Sequence, residues 1–140
     1  MKIVDDFPPN YLEIRQFIPE VDKYKPFFAY GEEIYNPYKQ VLPADIEYHE
    51  QIHLEQQKEY TSPAVWWTKY CADKGFRQEQ EVEAYAKQYL FVKKYTNSKI
   101  ADLALDEMVE ILSSSMYNLG ISQYQAKTLI RLKAKEYAIT

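Results

Sequence analysis

From Pro43 onward, apolar residues recur at helical spacing, while the residues before it are broken by prolines and carry an alternating aromatic stretch. Residues 11–18, between Asn10 and Pro19, predict a short helix capped by Asn10, because the residue before a proline is driven out of helical geometry. Phe27-Phe28-Ala29-Tyr30 and Glu33-Ile34-Tyr35-Asn36 flank Gly31-Glu32, and glycine in first place suits a tight hairpin turn. Residues 2–5 are a candidate further strand. Beyond Pro43 the pattern predicts five helices. The first covers residues 44–60. Ser62 caps the second, with Pro63 in its first turn, over residues 64–74, and Gly75 is expected as its left-handed C-terminal cap. The third covers residues 76–95, with Glu79, Glu81 and Glu83 early and Lys87, Lys93 and Lys94 late, as the macrodipole favours. Asn97 or Ser98 caps the fourth, which ends before Gly120, and Ser122 caps the fifth over residues 123–137. No repeat or linker interrupts this order. The expectation is α+β, mostly helical, one domain over residues 1–140, with a small hairpin or sheet packed on the first long helix.

Composition narrows the function classes. The 140 residues carry a formal charge of −4 and no basic tail, so a nucleic-acid partner is not expected, since phosphate contacts need a positive footprint. No apolar run reaches the 18 or so residues of a membrane span, so no membrane partner is expected either. Acidic Asp5 and Asp6 stand where a signal peptide carries its apolar stretch, and Cys71 is the single cysteine, which points to the cytoplasm. Cys71 itself reads as a buried small hydrophobe. The 14 tyrosines and the Trp66-Trp67 pair suit an aromatic core with an amphipathic rim.

Only two histidines occur, and they stand four residues apart in His49-Glu50-Gln51-Ile52-His53. On a helix this spacing stacks two imidazoles one turn apart on one face, where both can reach one tetrahedral ion. Glu50 lies just off the pair, close enough to take a proton from an activated water without being a ligand. Zinc lowers the pKa of such a water toward roughly 7. Catalytic zinc keeps three protein ligands and one open position, so a further ligand is required. With no third histidine, the acids of Gln78-Glu79-Gln80-Glu81-Val82-Glu83-Ala84-Tyr85 are the densest source. Ala84 would let two helices approach closely.

His49-Glu50-x-x-His53 followed by Glu81-x-x-Ala84 resembles the gluzincin pattern of zinc metallopeptidases. That resemblance implies Glu81 as the third zinc ligand, with Glu83 as second choice, and one Zn²⁺ per chain. Many gluzincins carry an aspartate four residues after the ligand glutamate to support the first histidine; here the position is Tyr85. Phe28-Ala29-Tyr30-Gly31-x-x-Ile34-Tyr35-Asn36-Pro37, the histidine motif with Gln56-Gln57, Trp66-Trp67, Phe76-Arg77 and Glu81-x-Glu83-Ala84-Tyr85 together look like small metallopeptidases of phages and prophages. A phage origin would place the protein in the host cytoplasm.

The implied activity is peptide-bond hydrolysis with Glu50 as general base, acting on a peptide or protein. In zincins a strand above the metal helix pairs its open edge with the substrate, and Glu33, Ile34, Tyr35 and Asn36 are the candidates for that role. Tyr85, Tyr60 and Arg77 are the candidates for stabilising transition-state charge. Two rival readings share the scaffold: a catalytically silent zincin-fold binding or assembly protein, such as a virion or host-interaction component using zinc structurally, and a hydrolase of non-peptide amides. The second gains if the cleft lacks a strand edge for a peptide.

Overall fold

The computed structural model describes residues 2–139. Its elements in order are β1 (Lys2–Val4), α1 (Tyr11–Phe17), a 3₁₀ turn (Val21–Tyr24), β2 (Phe28–Tyr30), β3 (Glu33–Tyr35), α2 (Ala44–Gln57), α3 (Pro63–Ala72), α4 (Lys74–Tyr95), α5 (Ser98–Leu112) and α6 (Gln123–Ile139). This is the expected mostly helical α+β arrangement. No helix of the described residues is long and apolar enough to cross a membrane.

The sheet has the order β1-β3-β2. β2 and β3 form the expected hairpin, with Tyr30 opposite Glu33 and Ala29 opposite Ile34. Gly31 takes φ of 68° while Glu32 stays out of the positive-φ region, the pattern of a two-residue turn that needs glycine in first place. β1 runs parallel to β3 on its other side, Ile3 opposite Ile34. The middle strand is therefore β3.

Helix ends follow local capping chemistry, with two departures from expectation. The Ser62, Asn97 and Ser122 side chains accept from the N–H groups of Val65, Ile100 and Gln125, as the sequence predicts. Asn10 stands before α1, but its amide caps nothing and both its polar atoms are buried without a partner; Ile14 N–H bonds the Asn10 carbonyl instead. Gly75 is not a C-terminal cap. Asp73 closes α3 in extended geometry and accepts from Phe76 N–H at 3.0 Å, so one residue serves both helices and Gly75 falls inside α4. α5 stops at Leu112, where the Ser113 hydroxyl turns back onto the Val109 carbonyl at 2.8 Å, and the chain turns before Gly120.

Two large apolar clusters flank the centre. One joins α4, α5 and α6 around Leu105, Leu112 and Ile130; the other joins α1, β2 and α3 around Ile14, Phe28 and Trp66. Both indoles are buried with their N–H groups satisfied, Trp66 by Gln80 Oε1 at 2.8 Å and Trp67 by the Ala29 carbonyl at 2.9 Å, as a core role requires. Cys71 is buried in the same cluster, and burial pushes its thiol up to about 12.

Arg77 ties the clusters together. It is buried, and its guanidinium donates to the carbonyls of Tyr117 (2.8 Å), Tyr70 (2.7 Å) and Cys71 (3.0 Å), with Asn118 at 3.5 Å. It thereby caps the end of α3 and anchors the turn after α5. Arg77→Met removes a charge and leaves buried carbonyls unpaired. The expected loss is about 3 kcal/mol of unfolding free energy, read by urea titration, against less than about 0.5 kcal/mol for exposed Arg131→Met.

Candidate metal centre

The helices α2 and α4 lie side by side and antiparallel: Asp45 reaches Gln88, His49 reaches Gln88 and Glu81, His53 reaches Glu81, and Gln56 reaches Glu83. On α4 the facing residues Glu81, Ala84, Tyr85 and Gln88 recur at helical spacing, and Ala84 is fully buried. On α2 the buried side is mostly polar: His49, Glu50, His53, Gln56 and Gln57 lie beside Ile52 and Leu54. Such a face is stable only if every group finds a partner, and here the partners converge on one point.

His49 Nε2, His53 Nε2 and a Glu81 carboxylate oxygen form that point. The two nitrogens are 3.2 Å apart, His49 Nε2 stands 3.1 Å from Glu81 Oε1, and His53 Nε2 stands 3.1 Å from Oε2. Ligands at about 2.0–2.1 Å from a tetrahedral ion stand roughly 3.3 Å from one another, so the spacing matches. This buried group can hold a metal ion.

The outer hydrogen bonds fix which nitrogen is free. Gln88 Nε2 donates to Asp45 Oδ2 at 2.8 Å, which leaves Gln88 Oε1 to accept from His49 Nδ1 at 2.9 Å. Gln56 Nε2 donates to Glu83 Oε1 (2.6 Å) and the Gln80 carbonyl (3.0 Å), which leaves Gln56 Oε1 to accept from His53 Nδ1 at 2.8 Å. A carboxylate or carbonyl only accepts, so the amide orientations are forced, and with them the proton on each Nδ1. Each imidazole thus carries its ligating lone pair on Nε2, aimed at the common point. Tyr70 O–H donates to Glu81 Oε2 at 2.5 Å and orients the third group. Glu83, the second-choice ligand, is instead the anchor of Gln56 and of Lys87 at 2.9 Å.

Without a metal, the charges at this point favour a proton on His53. Burial pushes the His53 pKa down, but the charge and hydrogen bond of Glu81 outweigh it and hold it at about 9. Burial likewise favours the neutral form of Glu81, yet His53 and His49 keep it well below the usual carboxylate range. Glu50 is different. It is buried and lines the cavity with no hydrogen bond to another described residue; burial raises its pKa, and the two imidazoles pull it back only partly.

The cavity holds about 310 Å³ and has His49, Glu50, His53, Glu81, Tyr85 and Tyr117 in its wall. Tyr85 packs on His49 with ring centroids 4.3 Å apart and shares a 2.7 Å hydrogen bond with the Tyr117 hydroxyl, so this candidate sits at the site. The other two do not. Tyr60 packs against Phe76 with centroids 5.9 Å apart, outside the cavity wall, and Arg77 is committed to backbone carbonyls. The substrate-strand expectation is also not met, because Glu33, Ile34 and Tyr35 pair on both sides, with β1 and β2. The Asn36 N–H bonds the Val4 carbonyl at 2.7 Å and its side chain bonds Gln40. Nor is the near side of β2 open. Gln57 Nε2 and Trp67 Nε1 both donate to the Ala29 carbonyl, and Gln57 Oε1 accepts from Gly31 N–H at 2.8 Å, as a neighbouring strand would.

Sequence reasoning missed Asp45, Gln88 and Tyr70. Their signal was positional: Gln88 is one helical heptad after Glu81, and Asp45 one turn before His49. Searches of protein-family models, of curated proteins and of solved structures find no match to this chain.

Two measurements follow from this geometry. Replacing Gln88 or Gln56 by Leu frees an imidazole to rotate or change tautomer, and affinity for a divalent probe ion such as Zn²⁺, by chelator competition, should fall about 10–100-fold in each. The pH dependence has a defined sign. His53 is raised above its unfolded value near 6.5, so its contribution is complete below that pH and lost as pH rises through about 9; Glu50, also raised, acts in the same direction. Metal-free protein should lose up to about 3 kcal/mol of stability across that interval in pH-dependent denaturation, and Glu81→Gln should flatten the profile. The same proton must leave when a metal enters, so calorimetry in buffers of different ionisation enthalpy should find about one proton released at neutral pH.

Proposed function

We propose that this chain is a zinc-dependent hydrolase of amide bonds of the metallopeptidase type, with His49, His53 and Glu81 holding the ion and Glu50 as general base. The observation that carries the reading is the division of labour between two adjacent buried carboxylates. Glu81 is fixed by Tyr70 and both imidazoles, whereas Glu50 faces the cavity uncommitted. A structural site has no use for a carboxyl that is desolvated at a cavity wall without a hydrogen-bond partner, which costs stability. The gluzincin pattern of the sequence supports the same assignment.

Zinc, when bound, supplies Lewis acidity that acidifies a water and polarises the substrate carbonyl. The chain's own residues do the rest. Glu50 takes one proton as the water oxygen adds to the carbonyl carbon, and burial, which raises its pKa, makes it a stronger base than an exposed carboxylate. It then gives the proton to the amide nitrogen as the carbon–nitrogen bond breaks, leaving a carboxylic acid and an amine. The Tyr85–Tyr117 hydroxyl pair stands in the cavity wall beside His49, where a donor can meet the developing oxyanion.

One observation favours the non-peptide reading as the alternative substrate class: β3 is paired on both sides, and on the edge strand β2 the Ala29 carbonyl is taken by Gln57 and Trp67. The silent-scaffold reading lacks a comparable observation, because it leaves Glu50 without a role.

Glu50→Gln separates these readings. Zinc content should stay as in the parent chain and melting temperature should stay equal or rise, while hydrolysis of an amide-ester library falls at least about 10²–10⁴-fold. Glu81→Ala should lose the zinc, and Glu83→Ala should keep it. Parent protein that binds zinc yet turns over no member of the library would favour the scaffold role.

A further inference from the structure

We infer that the site takes a short substrate entering end-on, with a bulky apolar group beside the scissile amide lodged against α5. This rests on the hydrolase reading and narrows its substrate class. The cavity does not end at the metal-binding cluster. It continues between the two apolar clusters of the core, walled there by Ile14, Ile18, Ala104, Met108, Ile111 and Met116. Exposed Glu107 and Lys25 also line the cavity, but its buried wall there, Ile14, Ile18 and Met108, is apolar, so an apolar group gains most by entering it. Met108 and Met116 are unbranched, polarizable side chains that adapt to apolar groups of irregular shape. The volume of about 310 Å³ lies at the small end of the range for ligand pockets, roughly 300–1,000 Å³.

The strand edges exclude the usual extended alternative. A polypeptide bound along a sheet needs an unpaired edge. β3 is paired on both sides; at β2 the Ala29 carbonyl and the neighbouring Gly31 N–H are taken by Gln57 and Trp67, and of β2 only Phe28 lines the cavity. The remaining edge belongs to β1, two strand spacings or about 10 Å beyond β2, and no β1 residue lines the cavity. A substrate must therefore be recognised by what enters the cavity, and not by a backbone track outside it.

The test uses zinc-loaded full-length protein and a series of straight-chain hydroxamates, from acetohydroxamate to octanohydroxamate, titrated calorimetrically. Each methylene that enters the apolar stretch should tighten binding about three- to fourfold until the space is full. Ala104→Phe should abolish the gain for the longest tails and leave acetohydroxamate binding unchanged; Met116→Ala should carry the gain to longer tails. Both variants should keep one zinc per chain. Octanohydroxamate should be displaced by a leucine-terminated dipeptide or by N-acetyl-leucinamide, the stronger competitor identifying a chain end or a free acylamide as the source. A flat tail series on zinc-loaded protein, or equal displacement by a long unfolded polypeptide, would overturn this inference and leave the hydrolase reading standing. Failure to bind zinc or acetohydroxamate would overturn both.

Discussion

Two imidazole lone pairs and a carboxylate face one another at 3.1–3.2 Å inside the protein, and the surrounding structure exists on that condition. Three acceptors at that distance repel unless a cation lies among them. In a medium of low polarity the repulsion is not screened by water. A proton on His53 relieves it in part, and a metal ion relieves it fully. The frame around the point is correspondingly rigid: Asp45 through Gln88, Glu83 through Gln56, and Tyr70 on Glu81. None of these outer groups can donate to Nε2, so the frame leaves the metal-facing side open.

The rest of the fold serves to hold α2 against α4 at this spacing. Ala84 allows the close approach, Trp66 packs on His53 with centroids 5.5 Å apart and bonds Gln80, and Arg77 anchors both α3 and the turn that brings Tyr117 to Tyr85. The hairpin contributes differently. Its near edge bonds the Gln57 side chain at the end of α2, so the sheet braces α2.

Much of this was legible because it is local. Helical spacing places His49 above His53, Ser62 and Asn97 cap what they precede, and Gly31 fits only one kind of turn. Glu81 came from a resemblance, and its geometry agrees: it, and not Glu83, faces both imidazoles. What escaped depends on long-range pairing. The strand role given to Glu33–Tyr35 failed because β1, from the start of the chain, fills the edge that the hairpin alone would leave open. Arg77 looked like a charge donor for chemistry, but carbonyls from two separate places, the end of α3 and the turn after α5, claim it, and no sequence pattern announces that. Gly75 lost its capping role to Asp73, whose carboxylate starts the next helix at once. The signal that survived all of this is the polar face of α2: buried histidines, glutamate and glutamines where an apolar stripe belongs mark a site and not a core.

The most direct test of the preformed three-ligand centre is anomalous diffraction at the zinc edge from crystals of the zinc-loaded protein. One peak within about 2.0–2.2 Å of His49 Nε2, His53 Nε2 and a Glu81 oxygen, with both Nδ1 atoms still on their glutamines, is the result expected. A peak elsewhere, ligation through Nδ1, or no peak in zinc-saturated crystals would contradict it.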